Sequence, residues 1–299
     1  MCTEIPVDIV HHAAIGIAGF LTLQAAGAEL AGVAFVAGSV VPDLDVLAAI
    51  AGRRAYLRNH QKLTHSVLLA PAYASGIALL LAAVVDGWSS AVFAAALAGI
   101  WIHSMLDLSN TFGVALFAPW SSRRSSLDAV FFVDAIAWAL TLFTLAALCI
   151  WKNAWIGASY AGVLSFYLAL RWRQHRHVRQ TIGCQLAIPS SWNPFEYFTF
   201  SETYVYRISI YNAATGRERS VSEIKPVAPE IAALADQSST YRDLRTIARA
   251  LRITEARSTP NGTTLVARDL AVRNFGGRFA RTELLFDSAG KLLHETAAI

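Results

Sequence analysis

The chain has 299 residues, 55% of them hydrophobic and only 15% charged, and its mean hydropathy is +0.43. A soluble domain carries roughly 25% charged residues, so an ordinary soluble protein is excluded. The formal net charge of +4 is modest. Its arginines sit beside apolar runs and form no stripe interleaved with aromatics, which argues against nucleic acid as a partner.

The N-terminus carries Glu4 and Asp8 but no Lys or Arg before the first apolar run. It lacks the positive region of a cleaved signal peptide, so the first helix is expected to stay in the mature protein. Apolar runs follow at about 13–28, 30–41, 66–85, 91–108, 129–151 and 154–172. The first two are shorter than the roughly 20 residues that span a bilayer comfortably. Gly16, Gly19, Gly32 and Gly38 would let them pack closely. Trp88, Trp120, Trp151, Trp155 and Trp172 fall near run ends, where interfacial aromatics belong.

The charges lie in the connections. Arg53, Arg54, Arg58 and Lys62 separate runs two and three, Arg123 and Arg124 separate runs four and five, and Arg171, Arg173, Arg176 and Arg179 follow run six. Pairing the runs as three hairpins puts all these arginines on one side, which the positive-inside rule makes cytoplasmic. The expectation is a multi-pass α-helical membrane bundle of about four to six membrane helices in the inner membrane. It occupies residues 1–179, and residues 180–299 form a small cytoplasmic α+β domain. In that domain Tyr204–Tyr211, Thr263–Ala267 and Thr282–Phe286 read as strands. Glu230–Asp236 and Thr240–Leu251 read as helices, and Trp192-Asn193-Pro194 as a linker or extended entry.

The hairpin scheme brings the chemistry to the same side as the arginines. His11 and His12 start run one, Asp43 and Asp45 end run two, and His60 and His65 precede run three. His103 and Asp107 end run four, and Asp128 and Asp134 start run five. His103 and Asp107 share a helical face, either as metal ligands or as a hydrogen-bonded pair. Asp43 and Asp45 follow Pro42 as a D-x-D that reads as two ligands or as a solvated helix end. Thr64 would cap the third helix, with His65 in its first turn, and the two histidines read as ligands or interfacial residues. Asp134, inside an apolar stretch, would bind metal, orient a ligand histidine or pair with an arginine. Asp128 fits a helix dipole, His175 and His177 a solvated juxtamembrane segment, and His294 a surface. Cys2, Cys149 and Cys184 show no pairing or zinc spacing. No H-E-x-x-H, G-x-S-x-G or Gly-rich phosphate loop occurs.

In order, Asp8–His12, Gly38–Asp45, His60-Gln-Lys-Leu-Thr-His-Ser66 and His103-Ser-Met-Leu-Asp107 resemble the YdjM-like family of predicted membrane-bound metal-dependent hydrolases. Asn110–Gly113 and Leu127–Asp134 share the likeness, with a weaker echo at Pro189–Phe195. Gln61 and Lys62 stand where the family pattern has Arg and Gly, and His12 matches the family's first histidine better than His11 does. A weaker likeness, through the His/Asp set, is to zinc-dependent phospholipase C. The resemblance implies a metal site of His12, Asp43, Asp45, His60, His65, His103 and Asp107. Zinc is the first choice of ion, with manganese or iron as alternatives, in one or two copies. The expected chemistry is attack of metal-activated water on an ester or phosphoester, as in a lipid or lipid-linked substrate at the membrane. Asp134 or Asp45 would act as the base, and Arg58 and Lys62 would hold an anionic head group. A metal transporter and a non-catalytic structural or sensor protein are the alternatives, and the oligomeric state is left open.

Overall fold

The computed structural model describes residues 7–51, 61–85, 88–246, 248–260, 262–271 and 281–298. The chain divides into two compact units, Met1–Arg173 and Gln174–Ile299. The first contains α1 (Val7–Ala25), α2 (Glu29–Val40), a 3-10 segment (Val41–Ala51), α3 (Ala70–Val85), α4 (Ser90–Ser109) and α5 (Ala135–Trp151). Helix α6 (Ala154–Ile182) carries the chain from the first unit into the second.

The expected bundle of about four to six membrane helices does not hold. Among the described residues, only Glu29–Ala48 and Ser90–Ser109 are long and apolar enough to cross a membrane. The apolar helices Ile9–Ala25, Ala70–Val85 and Ala135–Trp151 are shorter. At 1.5 Å per residue, 16 or 17 residues reach roughly 25 Å, short of a hydrocarbon core of about 30 Å. The apolar residues that lengthen runs three and five in the sequence, Ser66–Leu69 and Ala129–Val133, fold as turns and loop. Helix α6 carries Arg171, Arg173, Arg176 and Arg179 on the same helix as its apolar half.

The helices of the first unit meet where side chains are smallest. A Cβ on Gly38 would lie 2.2 Å from the Ala96 carbonyl oxygen, and one on Gly99 would lie 2.4 Å from the Phe35 carbonyl oxygen. Helices α2 and α4 therefore cross backbone to backbone, with Ala31, Ala34, Ala95, Ala96 and Ile100 buried around the crossing. The crossing also sets the site, because it brings the Ser39 carbonyl 2.8 Å from His103 Nδ1. Gly99→Val is expected to force the helices apart at a cost of ~1–3 kcal/mol. A lower unfolding midpoint in detergent checks it, and an unchanged midpoint would show that the crossing is looser than described.

The second unit is mainly antiparallel β, which corrects the expected small α+β domain. One meander orders β1 (Leu186–Pro189), β2 (Glu196–Glu202), β3 (Tyr206–Asn212) and β4 (Arg217–Ile224). The other orders β5 (Leu251–Thr259), β6 (Gly262–Asp269), β7 (Arg281–Phe286) and β8 (Leu292–Ala298). Between them lie α7 (Pro229–Ala232), a 3-10 turn (Ala233–Gln237) and α8 (Ser239–Leu244). Trp192-Asn193-Pro194 is the connection of the β1–β2 hairpin, not a linker. The helix expected over Thr240–Leu251 stops at Leu244, because Leu251 and Ile253 alternate into a strand core with Leu265, Ala267, Leu284 and Phe286. The last turns of α6 belong to this unit: Val178 packs with Cys184, Ala187, Tyr197 and Tyr211. The compact units thus part at Arg173/Gln174, a few residues before the boundary expected at 179/180.

Candidate metal centre

Four elements of the first unit bring imidazoles and carboxylates to one buried place. His12 comes from the second turn of α1 and Asp43 and Asp45 from the 3-10 segment after α2. His65 comes from the turns before α3, and His103 and Asp107 from the last turns of α4. None of these six side chains is more than 9% exposed. His60, Arg58, Arg53 and Arg54 lie outside the described residues.

The donor atoms are close. His65 Nε2 is 3.0 Å from Asp107 Oδ2, 3.1 Å from His103 Nε2 and 3.7 Å from Asp43 Oδ1. His103 Nε2 is 3.5 Å from Asp43 Oδ1 and 3.7 Å from Asp107 Oδ2. Neighbouring ligands on a tetrahedral zinc with bonds of 2.0–2.2 Å lie about 3.3–3.6 Å apart. His12 Nε2 is 3.2 Å from Asp107 Oδ1, and its ring stacks on that of His103 at 3.9 Å. Two triplets have donors close enough for one ion each: His12, His103 and Asp107, and Asp43, His65 and His103.

Backbone and side-chain partners aim these rings. The Ser39 carbonyl accepts from His103 Nδ1 at 2.8 Å, which fixes the proton there and leaves the Nε2 lone pair facing the cluster. His65 has Thr64 Oγ1 3.0 Å and Asp45 Oδ2 3.6 Å from its Nδ1, so its Nε2 also faces the cluster. Asp45 Oδ2 accepts from the Gln61 backbone N–H at 2.8 Å and from the Thr64 hydroxyl at 3.1 Å. It stands behind His65, 3.6 Å from Nδ1 and linked to it through the Thr64 hydroxyl, and it is in neither of the two triplets. Thr64 therefore serves Asp45 and caps no helix, since α3 begins only at Ala70.

His65 lies outside the two candidate spans. Burial alone would lower its pKa, but hydrogen bonds to Asp107 and Asp43 outweigh burial and raise it from 6.5 to about 9. Without a metal, its proton balances the surrounding carboxylates. Asp43 Oδ2 is buried without a hydrogen-bond partner, a costly state for a carboxylate oxygen that a cation would relieve. The donor set and this orphaned oxygen fit a borderline divalent ion such as zinc.

Asp134 of the expected site and His11, the neighbour of His12, are placed elsewhere. Asp134 caps α5, accepting from the Ile136 and Ala137 N–H groups at 3.1 and 2.9 Å and from the Tyr167 hydroxyl. No described residue of the cluster shares a hydrogen bond with it, and the contacts it makes are those of a helix cap. His11 hydrogen-bonds Thr141 Oγ1 and stacks on Trp138, away from the donors.

Sequence reasoning missed Ser39, whose contribution is a backbone carbonyl, and the Gln61–Arg124 pair. Gln61 is buried and left-handed at φ 58°. Its Oε1 accepts from Arg124 Nη2 at 2.7 Å, and its Nε2 reaches Asp107 Oδ2 at 3.5 Å. Its carbonyl accepts from the Ala115 N–H, within the loop that leads to Arg124. The only signal in the sequence was Arg124's place in a connection.

The profile of the YdjM inner membrane protein family matches residues 7–178, more than half of the chain and all six of these side chains. The chain belongs to the YdjM inner membrane protein family. It is similar to the uncharacterized protein YfhP of Bacillus subtilis (strain 168), at 27% identity over 176 residues. The alignment covers 55% of this chain and 51% of YfhP, so the chain spans about half the length of that curated relative. No solved structure matches the chain. Family membership makes this an inner membrane protein and supplies no reaction.

Proposed function

We propose that this YdjM-family protein is a metal-dependent hydrolase of an ester or phosphoester, lipid or lipid-linked, acting at the cytoplasmic face of the membrane. The observation that carries this reading is the convergence of the donors with their rings aimed: His65 and His103 each present Nε2 inward while Thr64 Oγ1, itself bonded to Asp45, and the Ser39 carbonyl engage the other nitrogen. A divalent ion held there supplies Lewis acidity and brings the ionisation of water close to neutral pH. His103 Nε2 belongs to both triplets and has one lone pair, so it would serve one ion only. With His103 given to His12 and Asp107 Oδ1, a second ion would fall to Asp43, His65 and Asp107 Oδ2, where His65 Nε2 lies 3.7 Å from Asp43 Oδ1 and 3.0 Å from Asp107 Oδ2. Asp45 is a positioning residue for His65. The cytoplasmic side is supported by Arg123 and Arg124, in the connection that follows the helix whose last turns carry His103 and Asp107.

The test is metal content of the detergent-purified protein followed by a phosphodiester screen. Bound zinc, manganese or iron is expected, with turnover lost to a chelator and restored by the ion. A protein that neither carries nor takes up divalent metal overturns the proposal. A second reading, a structural ion clamping the helix ends, is favoured by the near-complete burial of every donor, since structural sites are closed. Metal bound tightly without turnover of any ester would select it.

A further inference from the structure

On the footing of the metal site proposed above, we propose that Arg124 is its anion-recognition residue and that the substrate carries a phosphate. The observation is a chain of contacts: Arg124 Nη2 donates to Gln61 Oε1 at 2.7 Å, and Gln61 Nε2 reaches Asp107 Oδ2 at 3.5 Å. One amide side chain therefore separates a fixed positive charge from the carboxylate common to both halves of the donor set.

Gln61 is held in a costly conformation to do this. A left-handed non-glycine residue is strained and persists only where its surroundings over-determine it. Here three anchors do so. Its N–H goes to Asp45 Oδ2, its carbonyl takes the Ala115 N–H at 3.1 Å, and its amide bridges Arg124 and Asp107. The Arg124 side of the contact is equally braced. Val114 and Ser125 pair as an antiparallel bridge, with mutual N–H to carbonyl bonds of 2.9 and 3.0 Å, which sets the residue next to Arg124.

Charge selects the substrate class. Asp43, Asp45 and Asp107 contribute three negative charges, which two divalent ions exceed by one. A guanidinium beside them adds a further positive charge, and its planar fork suits phosphate oxygens better than the single carbonyl of a neutral ester. An arginine that served only to latch the 110–134 loop onto the His65 turn would need no such position one amide side chain away from the Asp107 carboxylate. Its loss would also leave anion binding unchanged once metal is in place.

The experiment uses the full-length, metal-loaded protein in detergent and inorganic phosphate as the probe, with calorimetry as the readout and metal content measured on the same samples. Phosphate binding is expected in the wild type, about tenfold weaker in Arg124→Ala and intermediate in Arg124→Lys, at unchanged metal content. Gln61→Ala should weaken phosphate binding as well, because the guanidinium loses its support. Equal phosphate affinity in wild type and Arg124→Ala, or no phosphate binding by the metal-loaded wild type, overturns the proposal. Loss of metal in both Arg124 variants also overturns it, since Arg124 would then serve only to build the site. Absence of metal from the wild type is a different failure, that of the metal site itself. In nanodiscs, phosphatidic acid that displaces phosphate through Arg124 identifies a lipid phosphate as the source, and lack of displacement identifies a soluble one.

Discussion

Asp107→Ala is expected to abolish divalent-metal binding, whereas His12→Ala leaves about half of the wild-type content. The asymmetry follows from the two oxygens of one carboxylate. Asp107 Oδ1 lies 3.2 Å from His12 Nε2, and Oδ2 lies 3.0 Å from His65 Nε2. Each oxygen serves a different part of the donor set, so losing the carboxylate disables both parts. His12 meets the carboxylate on its Oδ1 side. Removing a buried charge that is paired with histidines costs about 3–5 kcal/mol, so the alanine variant risks unfolding. Asp107→Asn keeps the shape and removes the charge, and it separates loss of metal from loss of fold when circular dichroism is read beside elemental analysis. His12→Ala with wild-type metal content would take His12 out of the ligand set. An Asp107→Asn variant that is folded and fully loaded would end the shared-carboxylate assignment.

The site was legible in the sequence to the extent that its cost was. Ionisable groups at the borders of apolar runs are expensive to keep, and six of them, His12, Asp43, Asp45, His65, His103 and Asp107, do come together. Their division of labour was not legible. Asp43 and Asp45 are equivalent in a D-x-D, and only the turn carrying Gln61 and Thr64 separates a donor from the carboxylate behind His65. Asp134 was ambiguous because an acidic residue before an apolar run reads equally as a ligand or an N-cap, and its bonds to two backbone N–H groups are those of a cap. Ser39 acts through its carbonyl and Gln61 through a left-handed backbone, neither of which side-chain chemistry announces. In the fold, helix positions followed the apolar runs, but span lengths did not. Ser66–Leu69 and Ala129–Val133 are as apolar as helix and fold as turns and loop instead. In the second unit, exposed strands such as Arg217–Ile224 lack the alternation that reveals a strand, and pairing with β3 alone defines this one.

Removing the metal is expected to lower the unfolding midpoint, and by more at pH 9 than at pH 6.5. A metal kept at about a thousandfold over its dissociation constant adds roughly 4 kcal/mol to the folded state. What it replaces depends on His65. In the metal-free fold the hydrogen bonds to Asp107 and Asp43 raise the His65 pKa from 6.5 to about 9, against the opposing pull of burial. A group whose folded pKa is raised contributes stability that is fully present below its unfolded value. The proton on His65 therefore stabilises the metal-free protein below pH 6.5, and that contribution is lost as the pH rises through about 9. The loaded site gains over the same interval, because a ligand imidazole must first give up its proton and fewer remain to be displaced. The two trends act in the same direction on the difference. Midpoints with and without a chelator at both pH values check it. A gap that does not widen would show that His65 is neutral in the metal-free fold, and no gap at either pH would separate the metal from the stability of the helices.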